Sequence, residues 1–112
     1  MIKIIAIIRP HRLEEVKTAV ASLNVSGMTV TDVRGAGSRP EVSSTFAGQE
    51  ILISLPIRSK IEVVCSEDQK DEIVAAILEG ARTGEPGDGK IFIENVENAV
   101  RIRTGEAGDA VV

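Results

Sequence analysis

The sequence predicts an α+β domain in which two helices cover one face of a four-stranded antiparallel sheet. Three observations point there. Two β-rich stretches, 2–9 and 50–65, carry apolar residues on both alternating faces. An amphipathic stretch at helical spacing follows each, over 12–24 and 67–82. A further alternating segment then follows each helix, at 28–34 and 90–96. The order is βαβ–loop–βαβ, a half-repeat used twice. The 112 residues suit one domain, 1–112.

Residues 2–9 (IKIIAIIR) place Ile2, Ile4, Ala6 and Ile8 on one face and Lys3, Ile5, Ile7 and Arg9 on the other. Such two-faced apolarity marks a central strand, and Pro10 ends it. Over 12–24, Leu13, Val16, Val20 and Leu23 form one stripe, with Glu14, Glu15 and Lys17 outside it. Gly27 breaks the pattern, and MTVTDVR alternates as a strand. Residues 35–48 (GAGSRPEVSSTFAG) hold no apolar period and read as a loop, long enough to be functional. Residues 50–65 read as one strand bent at Pro56. Ser66 caps the second helix, with Gln69 completing a capping box. Ile73, Ala76, Ile77 and Gly80/Ala81 form its apolar stripe, and Gly84 ends it. A Gly-rich turn, a strand over 90–96, a short extended return at 99–103 and a polar tail complete the chain. This is the ferredoxin-like βαββαβ arrangement.

Two helices cover only one sheet face, yet the first, third and fourth strands are apolar on both. At about 25 cal/mol per Å² of apolar surface, the second face calls for cover. Other copies of the chain are the simplest source, giving a closed homo-oligomer. The alternative is that the long loop folds back over the sheet.

Composition excludes several classes. The net charge of −4 and pI near 5.0 argue against general nucleic-acid binding. With two Phe, no Tyr and no Trp, a base-stacking platform is excluded. One cysteine, Cys65, and one histidine, His11, can build neither an intramolecular disulfide nor a Cys/His zinc site within the chain. No apolar run approaches a membrane span or a signal peptide, so a cytoplasmic location is expected. His11 reads as a surface residue, Cys65 as buried and inert, and the acidic start of the second helix as dipole complementation. No Ser/His/Asp set is visible, so no enzyme is expected.

Three segments carry chemistry. Gly84–Lys90 matches G-x-x-x-x-G-K literally, but Ile91 stands where a P-loop needs Ser or Thr, and the segment runs from helix to strand. A Walker loop is therefore rejected. Gly87 and Gly89 still allow amides to turn inward as an anion nest, with Lys90 as a point charge and Asp88 as turn former or ribose partner. A plain helix cap and tight turn is the alternative. Arg101 and Arg103 lie two apart, which in an extended segment puts both forks on one side, suited to phosphate. Pairing with surface glutamates is the alternative. In VRGAGSR (Val33–Arg39), Gly35 and Gly37 allow close backbone approach to a ligand, or serve as a hinge.

With these segments in view, the chain resembles the PII signal-transduction family over nearly its whole length, through IIAIIRPHRLEEVK, GMTVTDVRGAG, KIEVV, ARTGEPGDGKIF and VRIRTGE. The resemblance implies a homotrimer binding ATP or ADP, with AMP a further candidate, in clefts between subunits. It implies that 36–54 is a mobile loop engaging a target protein, either a membrane transporter or an enzyme. Gly87, Asp88, Gly89 and Lys90 would hold phosphates from one subunit within the 83–90 loop. Arg101 and Arg103 of the 101–112 tail, with Met28 and Thr29, would reach in from the neighbour. Gly35, Gly37, Glu62 and Val64 would line the adenosine side, and Ile7, Ala36, Ser38, Arg39 and Arg58 would belong to the same site.

Departures from the family pattern alter that expectation. Ser38 stands where nitrogen-sensing members have arginine. Arg39 replaces the glutamine that helps hold Mg²⁺ and 2-oxoglutarate, and a guanidinium offers a metal no lone pair. Arg58 replaces the lysine that pairs with 2-oxoglutarate, and Ile51 the loop tyrosine that is modified in enteric members. Weakened or lost Mg²⁺–2-oxoglutarate sensing is expected, with direct contact to a phosphate, a small carboxylate or bicarbonate as the substitute. The competing classes are a conventional nitrogen regulator acting on an ammonium transporter, a slow ATPase or phosphatase, and a structural oligomer.

Overall fold

The computed structural model describes residues 1–36, 41–46, 49–53 and 55–112, with the strand residues within 41–53 described by backbone alone. Strand β1 (Ile2–Ile8) leads through a 3₁₀ turn, Pro10–Arg12, into helix α1 (Leu13–Ala21). Strands β2 (Thr29–Arg34), β3 (Glu41–Phe46), β4 (Gln49–Ile53) and β5 (Ile57–Cys65) follow. A 3₁₀ turn, Glu67–Gln69, opens helix α2 (Lys70–Ala81), and strand β6 is Lys90–Asn95. The main sheet has the order β2-β5-β1-β6 with every pairing antiparallel. That is the expected ferredoxin-like topology.

β1 is central, and its residues alternate between buried and half-buried along the whole strand. Ile2, Ile4, Ala6 and Ile8 meet Ile61, Val63 and Cys65 of β5, Val16 and Val20 of α1, and Ile73 and Ile77 of α2, all essentially without solvent contact. Each isoleucine and valine among them contributes about 1.5–3 kcal/mol through burial. The predicted stripes of both helices are the faces that pack here. Gly80 is where the helices cross: a Cβ there would lie 3.0 Å from Val16 Cγ2 and 3.2 Å from its Cα. The Gly80 carbonyl also accepts a hydrogen bond from Arg12 Nε at 2.7 Å. Ser66 and Gln69 form the expected capping box, and the Gln69 side-chain amide reaches the Asn24 carbonyl at 3.2 Å. Asn24 itself takes φ +52° in the turn leaving α1.

The other sheet face is mixed rather than simply apolar. Ile5, Ile7 and Val64 are half-buried and Phe92 is 51% exposed. Among them run Lys3–Glu62 at 4.0 Å, Lys3–Glu94 at 3.9 Å and Lys60–Glu62 at 3.3 Å.

Three expectations are corrected. Residues 35–48 are not all loop, because β3 and β4 form a two-stranded antiparallel hairpin with Glu41 opposite Ile53 and Phe46 opposite Gln49. Residues 50–65 are not one bent strand; β4 belongs to the hairpin and β5 to the main sheet. Pro56, lacking an N–H, sits at the break, and its carbonyl accepts from Gly35 N at 3.1 Å. Finally, 99–103 is not an extended return. Val100 makes an isolated bridge to Ala107, and Gly105 N closes back on the Arg101 carbonyl at 2.7 Å. Arg101 and Arg103 therefore sit in a turn, where the two-residue alternation of a strand does not apply.

Candidate functional site

The segment between α2 and β6 is built by three glycines in the left-handed region, Gly84 (φ +91°), Gly87 (φ +101°) and Gly89 (φ +106°). A side chain is strained there. At Gly89 a Cβ would fall 1.7 Å from the Ile7 carbonyl oxygen, so the loop lies against β1 at a distance only glycine allows. Lys90 then opens β6 directly opposite Ile7.

Asp88 ties this loop together. One carboxylate oxygen accepts from Thr83 N at 2.8 Å and Gly84 N at 2.9 Å. The other accepts from the Thr83 hydroxyl and from Arg9 Nε at 3.1 Å. Arg9 also donates from its second arm to the Pro86 carbonyl. The Thr83 hydroxyl bond above all, then the two backbone bonds and the guanidinium, hold the Asp88 carboxyl well below its usual 3.8. The carboxylate is thus committed within the loop and is not a free ribose partner. Because its native pKa is depressed, its stabilising contribution is complete above pH 3.8 and is lost as pH falls below that toward the native value. Followed by NMR, the Asp88 carboxyl resonance should titrate only well below pH 3.8; a midpoint at or above it would contradict this set of bonds.

A pocket of about 190 Å³ opens beside the loop. Of the predicted site residues it gathers Ile7, Asp88, Gly89 and Lys90. Its floor is Ile8, Ile77, Ala81 and Ile91, and Arg82 joins the rim. Arg9 and Arg82 were missed from the sequence. Arg82 adjoins the Gly-rich motif, but the link from Arg9 to Asp88 spans 79 positions and no local pattern encodes it.

The remaining predicted residues lie outside that pocket. Thr29 starts β2 opposite Glu62, and Val64 stands opposite Lys3 on the open sheet face. Met28 packs against the core edge. Gly35 and Ala36 follow β2, where Gly35 is fixed to Pro56. Arg58 lies opposite Val33 in β5 and donates to the Ile57 carbonyl at 2.9 Å. Arg101 pairs with Glu106 at 3.1 Å, and Arg103 is exposed. Gly37, Ser38 and Arg39 fall outside the described residues. As expected, His11 is exposed and Cys65 buried. Among the described residues no group of three or more His, Cys, Asp or Glu could hold a metal ion, and no helix is long and apolar enough to cross a membrane.

The family model described as "Nitrogen regulatory protein P-II" matches residues 1–106. The chain belongs to the P-II family. It is 46% identical over its full length to nitrogen regulatory protein P-II 2 of Methanothermobacter thermautotrophicus, covering 97% of that protein. Nitrogen regulatory protein GlnK2 of Haloferax mediterranei is also 46% identical, over 96% of this chain and 89% of its own. Nitrogen regulatory protein P-II of Microchaete diplosiphon matches at 46% with both chains fully covered. This P-II chain is therefore a signal-transduction regulator by family, and not of an enzyme family.

Proposed function

We propose that this P-II chain is a cytoplasmic regulator that binds ATP or ADP at the Gly84–Lys90 loop in clefts between copies of a homotrimer. It controls a target protein through residues 36–54. One observation carries the proposal: a loop of positive-φ glycines, closed on β1 at Gly89 and ending in Lys90, borders a pocket of about 190 Å³. That volume is below the roughly 300–1,000 Å³ of a small-molecule site. Positive-φ glycines followed by a cation suit a polyphosphate, while one chain supplies only part of the enclosure. Met28, Thr29, Arg101 and Arg103 of the neighbour would complete it across the subunit boundary, with Glu62 and Val64 on the adenosine side. Regulation requires that ATP and ADP prefer different states of 36–54.

Mg²⁺, and 2-oxoglutarate held through it, fit less well. Both Asp88 oxygens already accept bonds from the loop and Arg9, and Arg39 and Arg58 bring cations rather than metal donors. Those cations favour a small anion, a phosphate, a carboxylate or bicarbonate, as co-effector. A second reading, a conventional sensor of Mg-ATP and 2-oxoglutarate controlling an ammonium transporter or a nitrogen enzyme, draws on the nitrogen-regulatory names of the relatives.

Isothermal titration with ATP, ADP and AMP, each with and without 2-oxoglutarate or bicarbonate, separates the two. Nucleotide heat that 2-oxoglutarate does not enhance supports the first. No heat with any nucleotide removes both. In the same assay Arg103→Ala should weaken nucleotide binding by roughly 1.5–3 kcal/mol, the worth of a charge-assisted hydrogen bond. Unchanged affinity would leave Arg103 without that role.

A further inference from the structure

We propose that Arg9 and Asp88 form a positioning pair for the terminal phosphates of a nucleoside polyphosphate. Arg9 neutralises and anchors the Asp88 carboxylate, and the carboxylate holds the glycine loop in the shape that receives the ligand. This rests on the nucleotide reading above and adds the residues that prepare the loop.

The glycines permit the loop's conformation but do not hold it. Gly84, Gly87 and Gly89 leave more backbone entropy to be lost than any other residues would, and a loop that must order itself on binding loses affinity accordingly. Residues 83–87 are exposed, so packing supplies little restraint. What fixes them is polar. Thr83 N, Gly84 N and the Thr83 hydroxyl all donate to Asp88, and Arg9 reaches from the end of β1 to both Asp88 and the Pro86 carbonyl. Arg9 thus spans the loop from its middle to its end, and its rigid planar fork presents two separate nitrogens to the two acceptors, which the single nitrogen of a lysine does not. Its side chain is 19% exposed and that of Asp88 23%, so the pair is shielded but still within reach of the surface.

Charge makes the arrangement informative. An unpaired carboxylate beside a polyphosphate would repel it. With Arg9 attached, the pair is neutral and Lys90 remains as the loop's outward cation. A role for Asp88 through charge alone predicts tighter ATP binding when its carboxylate is removed. A positioning role predicts the opposite.

The test uses the full chain, with circular dichroism and melting confirming the fold of each variant. Asp88→Ala and Arg9→Ala should each weaken ATP ten- to a hundredfold while changing AMP, which lacks the terminal phosphates, less than threefold. Arg9→Lys, keeping charge without the fork, should fall between wild type and Arg9→Ala; Arg9→Gln replaces the alanine variant if that fails to fold. ATP affinity at or above wild type in Asp88→Ala, or equal losses for ATP and AMP, would overturn the pair. A readout without nucleotide separates this from the parent proposal. Amide hydrogen exchange at Thr83 and Gly84, followed by NMR, should quicken at least tenfold in Arg9→Ala, whose lost side chain touches neither amide. Unchanged exchange overturns the positioning role even if wild type takes ATP. Quickened exchange in a chain that binds no ATP supports the anchoring and overturns the nucleotide assignment.

Discussion

Gly89→Ala is expected to destabilise the fold by about 3 kcal/mol and to lower the melting temperature by roughly 10–20 °C. Two costs add. A left-handed φ of +106° is worth roughly 1–2 kcal/mol against a residue with a Cβ. The second is steric: that Cβ would sit 1.7 Å from the Ile7 carbonyl oxygen and 2.8 Å from its carbon. Both are backbone atoms of the central strand, so no side chain can rotate away. Either β6 shifts against β1 or the loop lifts off, and relieving such overpacking costs roughly 1–3 kcal/mol. Gly84→Ala is the control. Its φ is +91°, but nothing lies within 4 Å, so only the conformational cost of about 1–2 kcal/mol remains. Thermal melts of the two variants side by side decide the matter. Equal losses would mean that the close approach to β1 contributes nothing.

Ile4→Ala should cost still more, about 4 kcal/mol in urea unfolding. Ile4 has no exposed surface, lies mid-strand in β1 and is flanked by Val63 and Ile93 in register. Removing three carbons there loses transfer energy and leaves a cavity roofed by two helices, a change that typically costs 2–5 kcal/mol. Its neighbour Ile5 points to the open face opposite Glu62 and Phe92. In a lone chain Ile5→Ala should cost only about 1 kcal/mol. If copies of the chain cover that face, the Ile5 effect must grow with protein concentration, while the Ile4 effect must not. An Ile5 cost independent of concentration would count against assembly through this face.

The two predictions fall on opposite sides of what the sequence made legible. The buried face of β1, both helix stripes and the capping box at Ser66 were readable because period and local chemistry set them. So was the glycine loop, whose conformational demands are carried by Gly84, Gly87 and Gly89 themselves. What escaped was set by distance along the chain. The contact of Gly89 with Ile7 and the bond of Arg9 to Asp88 depend on β1 and β6 lying side by side. The β3–β4 hairpin was hidden for another reason. EVSSTF is too short and polar to show a period against its glycine- and serine-rich flanks, and its partner strand is local. Residues 99–103 failed through the reverse error, because alternation in AVRIR imitates a strand where Gly105 closes a turn.

The burial of Cys65 has a practical corollary. Its sulfur is the chain's single thiol, 1% exposed opposite Ile2, and burial, aided by Glu67, pushes its pKa up. Both closure and poor ionisation shield it from alkylating reagents. Maleimide would then modify the protein only during excursions in which the β1–β5 ladder comes apart, so its labelling rate is a clock for global opening, with no engineered probe needed.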